Sequence, residues 1–297
     1  MKIKNLILGI AVYLFSGVVY SQEYPSRFSV LLQNNDTTRQ LALLTEWSSD
    51  NPKDPELFIA WFNYYARKSR KEVIALEKDS KNKESFILTD SAGKTAGFLN
   101  PSLMYDPVLL QKGFDHIDQG IALYPTRLDM RFGKVYMYGE AEDFRSFTTE
   151  IVKIIEYAQT INYKWLWKEG KPLEDAKEFF LSSLQNYIGT LYNTEDDNLL
   201  PLMREIAETV LKYHPDHVES LANTALTYLI NGDYDKALPF LLKAEKINPK
   251  DIIVLNNIAE IYKRKGDKAN RKIYLEKIIL HGNEEDAEDA RLKLKEL

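Results

Sequence analysis

The chain has 297 residues, 44% of them hydrophobic and 12% aromatic, enough for a folded core in one elongated unit or two modest domains. Its formal charge of −5 becomes −7 without Lys2 and Lys4, so the global field favours neither duplex nucleic acid nor an anionic membrane. The absence of cysteine removes disulfides, thiolate metal sites, a cysteine nucleophile and a lipid-modified cysteine.

The first 21 residues read as a signal peptide. Lys2 and Lys4 form a short basic start, and Leu6 to Tyr20 is a 15-residue apolar run broken by Ser16 and Gly17, short for a membrane span. Val19 and Ser21 are small enough for the two positions that select a cut, which predicts cleavage between Ser21 and Gln22. An uncleaved anchor is the alternative. Both readings place the remainder outside the cytoplasm, in the periplasm or cell envelope.

After Pro52 a helix is expected, with Phe58, Trp61, Phe62 and Tyr65 on its apolar face. Arg67, Lys68, Arg70 and Lys71 read as its basic C-terminal end, where cations complement the helix dipole. Residues 84–99 read as a β-hairpin: the β-prone Phe86, Ile87, Leu88 and Thr89, a polar turn, then Thr95 to Leu99. The Gly93-Lys94-Thr95 in that turn invites a phosphate-binding reading, but Leu88 stands where such a loop needs glycine. Pro107 to Leu123, Leu128 to Tyr138 and Phe144 to Ala158 read as helices. An aromatic connector with Tyr163, Trp165 and Trp167 follows, closed by Gly170 and Pro172. Leu173 to Tyr192 and Leu199 to Tyr213 form one more helical pair.

The C-terminal third repeats itself at an offset of 34. Leu221/Leu255, Asn223/Asn257, Ala225/Ala259, Tyr228/Tyr262, Gly232/Gly266, Asp233/Asp267, Leu241/Leu275 and Lys243/Lys277 are identical pairs, and Pro215 and Pro249 share the spacing. Leu221, Ala225 and Tyr228 form one helical stripe, faced by Ala237, Leu241 and Ala244 of a second helix. The alanines allow close approach, Gly232 can adopt the left-handed conformation that ends a helix, and Asp233 can cap the next one. Asn283 begins a last helix, acidic at Glu284, Glu285 and Asp286, basic at Arg291, Lys293 and Lys295, and apolar along Ala287, Ala290, Leu294 and Leu297.

A 34-residue unit of helix, Gly-Asp turn, helix and proline resembles the tetratricopeptide repeat. The resemblance implies an all-α fold, a right-handed α-α superhelical solenoid of four to five helical hairpins with a small β-hairpin insertion. The expected organisation is a signal peptide over 1–21, degenerate repeats over 22–170 with the hairpin near 84–99, and repeats over 171–297. Its best units are 218–251 and 252–283, with a capping helix at 284–297. It further implies a partner held in a concave groove lined by the first helix of each repeat: Glu219, Ala222, Asn223 and Leu226, then Ile253, Asn256, Asn257, Glu260 and Lys263. Some members grip a partner's terminal carboxylate there. Asn223 and Asn257 match that pattern, but Ala222, Leu226 and Glu260 replace its donors, so the lining suits an amphipathic or basic segment.

No catalytic constellation is legible. His214, Asp216 and His217 flank an inter-repeat turn and would need a distant fourth ligand to hold a metal. The acidic clusters Glu140, Glu142, Asp143 and Glu195, Asp196, Asp197 stand where helices begin, where capping accounts for them. The expectation is a non-enzymatic scaffold without cofactor or metal. It binds a protein or peptide, takes no nucleic acid, and has no stable membrane insertion after cleavage. A glycan-binding accessory using Tyr163, Trp165 and Trp167 as exposed aromatics is the alternative.

Overall fold

The computed structural model describes residues 17–78 and 85–297. The predicted leader falls largely on residues 1–16, outside the described residues. The first described helix, α1 (Gly17–Gln33), is helical across the predicted Ser21–Gln22 cut. The chain forms two compact units, one of residues up to 130 with 167–171, the other of residues 131–166 with 172–297.

In the first unit α1 is followed by α2 (Thr37–Asp50), α3 (Pro55–Ser69) and α4 (Pro107–Leu123). Their starts follow a common chemistry: Asp36, Asp54 and Asp106 each accept a hydrogen bond from a backbone amide of the first turn. Trp47 is the anchor of the α1–α3 core. Its ring stacks on Tyr24 at 5.3 Å and its Nε1–H donates to buried Asp54 at 3.1 Å. Phe58 and Phe62 of α3 are buried as the apolar stripe requires, and α3 packs on α4.

Between α3 and α4 stands a three-stranded antiparallel sheet, β1 (Arg70–Glu77), β2 (Phe86–Thr89) and β3 (Thr95–Tyr105), in the order β1-β3-β2. The expected hairpin is β2–β3, with Leu99 opposite Phe86. Its turn is held by Asp90, whose Oδ1 accepts from the amides of Ala92 and Lys94, and Gly93 has φ +77°. Strand β1 was not anticipated. The basic run therefore divides: Arg67 and Lys68 close α3, whereas Arg70 and Lys71 open β1, where Lys71 pairs with Asp106 at 2.9 Å. Val73, Ile74 and Leu76 are β-prone, and pairing with the extended β3 supplies the ladder that local helical continuation would have forgone. Pro101 in β3 lies past the reach of β2, at an open edge that tolerates it.

In chain order there follow α5 (Leu128–Glu140), α6 (Phe144–Thr160), short strands Leu166–Trp167 (β4) and Lys171–Pro172 (β5), α7 (Ala176–Tyr192) and α8 (Leu200–Tyr213). The last five helices are α9 (Val218–Ile230), α10 (Tyr234–Ile247), α11 (Ile252–Arg264), α12 (Lys268–His281) and α13 (Glu284–Lys295). From α8 to α13 each helix packs on the next, so each hairpin covers the apolar face its neighbour cannot bury alone. Leu221, Ala225, Ala237, Leu241 and Ala244 are buried in one cluster with Leu255, Ile258 and Leu275. Gly232 (φ +79°) and Gly266 (φ +71°) make the left-handed turns expected of them.

The two repeats differ at the cap. Asp267 accepts from the Asn270 amide at 3.0 Å, but Asp233 does not cap α10 with its side chain, which instead meets Lys236 Nζ at 2.9 Å. Asn283 and Asp286 form a reciprocal capping box at the start of α13, whose Ala287 and Ala290 are buried. Asp143 and Asp196 cap α6 and the turn before α8, the role expected of the acidic clusters.

Candidate functional site

The groove residues expected on α9 and α11 separate into two settings within the second unit. On α9, Asn223 is half-buried and its amide donates to Gln185 Oε1 of α7 at 2.5 Å, joining two first helices of successive hairpins. Glu219 borders a cleft of ≈930 Å³ with Lys177, Leu181 and Gln185 of α7 and with Tyr163 and His217. On α11, Asn256, Asn257 and Glu260 line a second pocket of ≈330 Å³ together with Arg271 and Leu275 of α12 and Asp289 and Lys293 of α13. Ala222 packs partly against the core, and Leu226 is half-buried. Ile253, 70% exposed, and Lys263 extend the outer surface of α11.

Electrostatics in both places are local. Glu260 meets Arg264 at 2.6 Å and Lys263 at 3.9 Å, and Asp289 meets Lys293 at 2.5 Å, so the acidic lining expected from the sequence is largely compensated. Around the larger cleft, His217 accepts from the Ser220 amide as the cap of α9 and faces Glu219 at 3.3 Å. Burial holds the His217 imidazole below its ordinary value, against the pull of Glu219. His214 contacts the Tyr163 hydroxyl through Nε2, and burial followed by the nearby Lys177 lowers it too. Burial raises the Tyr163 phenol, opposed by the Gln159 amide that donates to it at 2.7 Å. Asp216 turns to Lys243 at 3.1 Å, so His214, Asp216 and His217 serve three different partners.

The aromatic alternative is corrected by burial. Trp165 is 1% exposed and Tyr163 is buried; both lie against Phe180, at 5.9 and 5.7 Å, and Trp165 also faces Tyr157 at 5.7 Å. Trp167 is half-buried. Alternating aromatics share one exposed side only on an extended segment. Residues 162 and 163 instead take positive φ, and the Tyr163 amide bonds back to Ala158, so the connector turns into the core and presents no stacking platform.

Sequence reasoning missed Lys177 and Gln185, because α7 lies outside the well-matched units, and Arg271, because it stands on the second helix of its repeat. One signal was present: Arg271 is 34 residues after Ala237, a charge at a core position.

Models of the tetratricopeptide repeat match residues 206–238 and 253–280. The photosystem I assembly protein Ycf3 of Prochlorococcus marinus (strain MIT 9211) is 40% identical over 57 residues, 19% of this chain and 33% of that protein. Its counterpart in Rippkaea orientalis is 28% identical over 138 residues, 46% and 65% respectively. The chain thus spans from a third to just under two thirds of these relatives. The solved structure of YrrB, described as a TPR protein with an unusual peptide-binding site, shares 14% identity at a TM-score of 0.40, covering 84% of this chain and 97% of that one. With two repeats matched in sequence and built as successive hairpins around one core, the chain carries tetratricopeptide repeats in its C-terminal third.

Proposed function

We propose that this chain is a non-enzymatic scaffold that binds a protein or peptide segment along the first helices of its C-terminal repeats. The observation that carries the reading is a run of side chains on α9 and α11 that core packing leaves unused. Glu219, Leu226, Asn257 and the 70% exposed Ile253 lie on the same helices as buried Leu221, Ala225, Val254 and Leu255, and beside two clefts. An apolar residue this exposed among half-buried amides offers both contact area and backbone-directed hydrogen bonds, as recognition of an extended or helical segment requires. The curated relatives are assembly proteins by name, which accords with an interaction role.

The test is affinity capture with the full chain against extract of the expressing cell's envelope, beside a variant carrying Leu226→Arg and Asn257→Arg. The expected result is a discrete protein held by the wild type and lost from a variant of unchanged helical circular dichroism. Equal capture by both would place the working surface elsewhere.

Export to the periplasm or cell envelope is part of the same reading and rests on the leader pattern of residues 1–21. Among the described residues no helix is long and apolar enough to cross a membrane. Intact mass of the chain recovered from fractionated cells tests it: a mature chain beginning at Gln22 supports export, and an intact Met1 chain in the cytoplasm refutes it.

A further inference from the structure

The sheet of the first unit leaves one of its faces open. Side chains alternate along a strand, so Ile74 and Leu76 of β1 share a face with Leu99, Pro101 and Leu103 of β3 and with Phe86 and Leu88 of β2. Leu99 stands opposite both Leu76 and Phe86, which makes one apolar rung across all three strands. Ile74, Leu76 and Phe86 are 68–70% exposed, and Leu88 and Leu103 are exposed as well. Side chains of this kind favour a pleated surface that is buried on one side, yet within a single chain these five meet solvent.

Their area fits a specific contact. At about 100 Å² each the five side chains offer about 500 Å², more than monomers usually leave in one apolar patch. Two such faces together cover about 1,000 Å², the lower bound for a specific interface. The charges on the same face are Arg70 and Glu72, at the start of β1, which pair at 3.7 Å. The face is therefore neutral in a chain of net charge −5, so two copies can approach through it without like-charge repulsion. It supplies no excess of cations for an anionic lipid surface.

We propose that this face is a homodimer interface, covered by the same face of a second copy across a twofold axis. An interface of that symmetry must be complementary to itself, and an apolar face ending in one charge of each sign meets the requirement. Sheets stack face to face in this way at about 10 Å, with their side chains interdigitating. The proposal is independent of the groove, because β1 to β3 belong to the first unit and α9 and α11 to the second. A dimer carries two sets of C-terminal repeats, which makes the scaffold bivalent.

The experiment is sedimentation equilibrium of the full chain from micromolar to millimolar concentration. The wild type should show a monomer–dimer equilibrium. Ile74→Lys and Phe86→Lys each bring a cation into the interface twice, and each should raise the dissociation constant about a hundredfold or more. Both positions are exposed, so circular dichroism should not change. Ile87→Lys is the matched control: Ile87 is 62% exposed on the same strand as Phe86 but on the opposite face, and its dimer should equal the wild type's. If a lysine variant loses structure, Ile74→Ser and Phe86→Ser carry the comparison, with an expected rise of about tenfold each.

A wild-type chain that stays monomeric over the whole range overturns the proposal. So does a dimer that survives either Ile74→Lys or Phe86→Lys, as association through the apolar run Leu6 to Tyr20 would. Loss of the dimer in Ile87→Lys as well overturns face packing in favour of pairing along the open edge of β2. Flotation with vesicles of phosphatidylcholine, with and without phosphatidylglycerol, tests the other occupant. A monomeric chain that floats with them, and no longer does so as Ile74→Lys, gives the face to lipid and overturns the dimer.

Discussion

Gly120 sets how closely α3 and α4 approach, and Gly120→Ala should destabilise the first unit although it improves helix propensity. A Cβ there would lie 2.8 Å from Phe58 Cβ, 3.1 Å from Phe58 Cγ and 3.2 Å from Met130 Sδ. The phenylalanine Cβ is fixed by its own backbone, so no rotamer change relieves the overlap and the two helices must separate. Replacing glycine by alanine inside a helix is worth about 1 kcal/mol in propensity, whereas overpacking a close helix contact costs about 1–3 kcal/mol. The 2.8 Å approach to a backbone-fixed Cβ puts the cost in the upper part of that range, so the net expectation is a loss of about 1–2 kcal/mol, read as a fall of several degrees in Tm. Gly189 of α7 is the matched control. A Cβ there meets nothing within 4 Å, so Gly189→Ala should gain about 0.5–1 kcal/mol. Urea and thermal unfolding of the full chain, followed by circular dichroism and tryptophan fluorescence, separate the two. A Gly120→Ala protein as stable as the wild type, or a Gly189→Ala protein that loses stability, would refute the steric argument.

Further outcomes follow from the same structure. Arg127, whose side chain is 2% exposed, joins Glu56 at 2.8 Å and Asp129 at 2.7 Å. Arg127→Met leaves two carboxylates without their counter-ion and should cost about 3–5 kcal/mol in urea denaturation, with a change under 1 kcal/mol counting against it. Gly232 has φ +79°; Gly232→Ala should cost about 1–2 kcal/mol and Gly232→Asn less, and equal stabilities would show that the turn relaxes. His116 stacks on Trp61 at 5.0 Å and on Tyr65 at 5.7 Å, and burial lowers its imidazole despite Asp115. His214 and His217 are lowered as well, chiefly by burial. Below their unfolded value of about 6.5 the unfolded chain binds protons that the folded chain resists, so stability is complete above that pH and declines as pH falls through it. Tm should therefore fall from pH 7 to pH 5, and His116→Phe, which keeps the stack, should flatten the slope; a flat or rising wild-type profile would contradict the assignment.

The legible part of the fold was the part written in local chemistry. An offset of 34 aligns residues that are all close neighbours within a hairpin, and Leu221, Ala225, Ala237 and Leu241 are buried because a helix with one apolar stripe has one way to hide it. Gly232, Gly266, Asn283 and the Asp90 turn announce themselves through backbone geometry that few other residues adopt or cap. Asp233 shows the limit even here: the sequence offers a cap, but a lysine three residues on takes its carboxylate.

What the tertiary structure decided lies in groups whose partners are far along the chain. Arg70 to Glu77 is basic, then apolar, and local pattern cannot choose between helix end and strand; the ladder to residues 98–105 chooses. Tyr163 and Trp165 are aromatics on a connector, and only Phe180 and Tyr157 packing against them show that they are core. The groove was predicted as a list on two helices, but Asn223 meets Gln185 of α7, outside the aligned units, and Asn257 shares a pocket with Arg271 on the second helix of its repeat. Helical periodicity is a property of neighbours, readable from the chain. The groove's ion pairs, Glu260 with Arg264 and Asp289 with Lys293, are helical neighbours too, whereas enclosure depends on distances between residues tens of positions apart, which the sequence does not contain until the chain is folded.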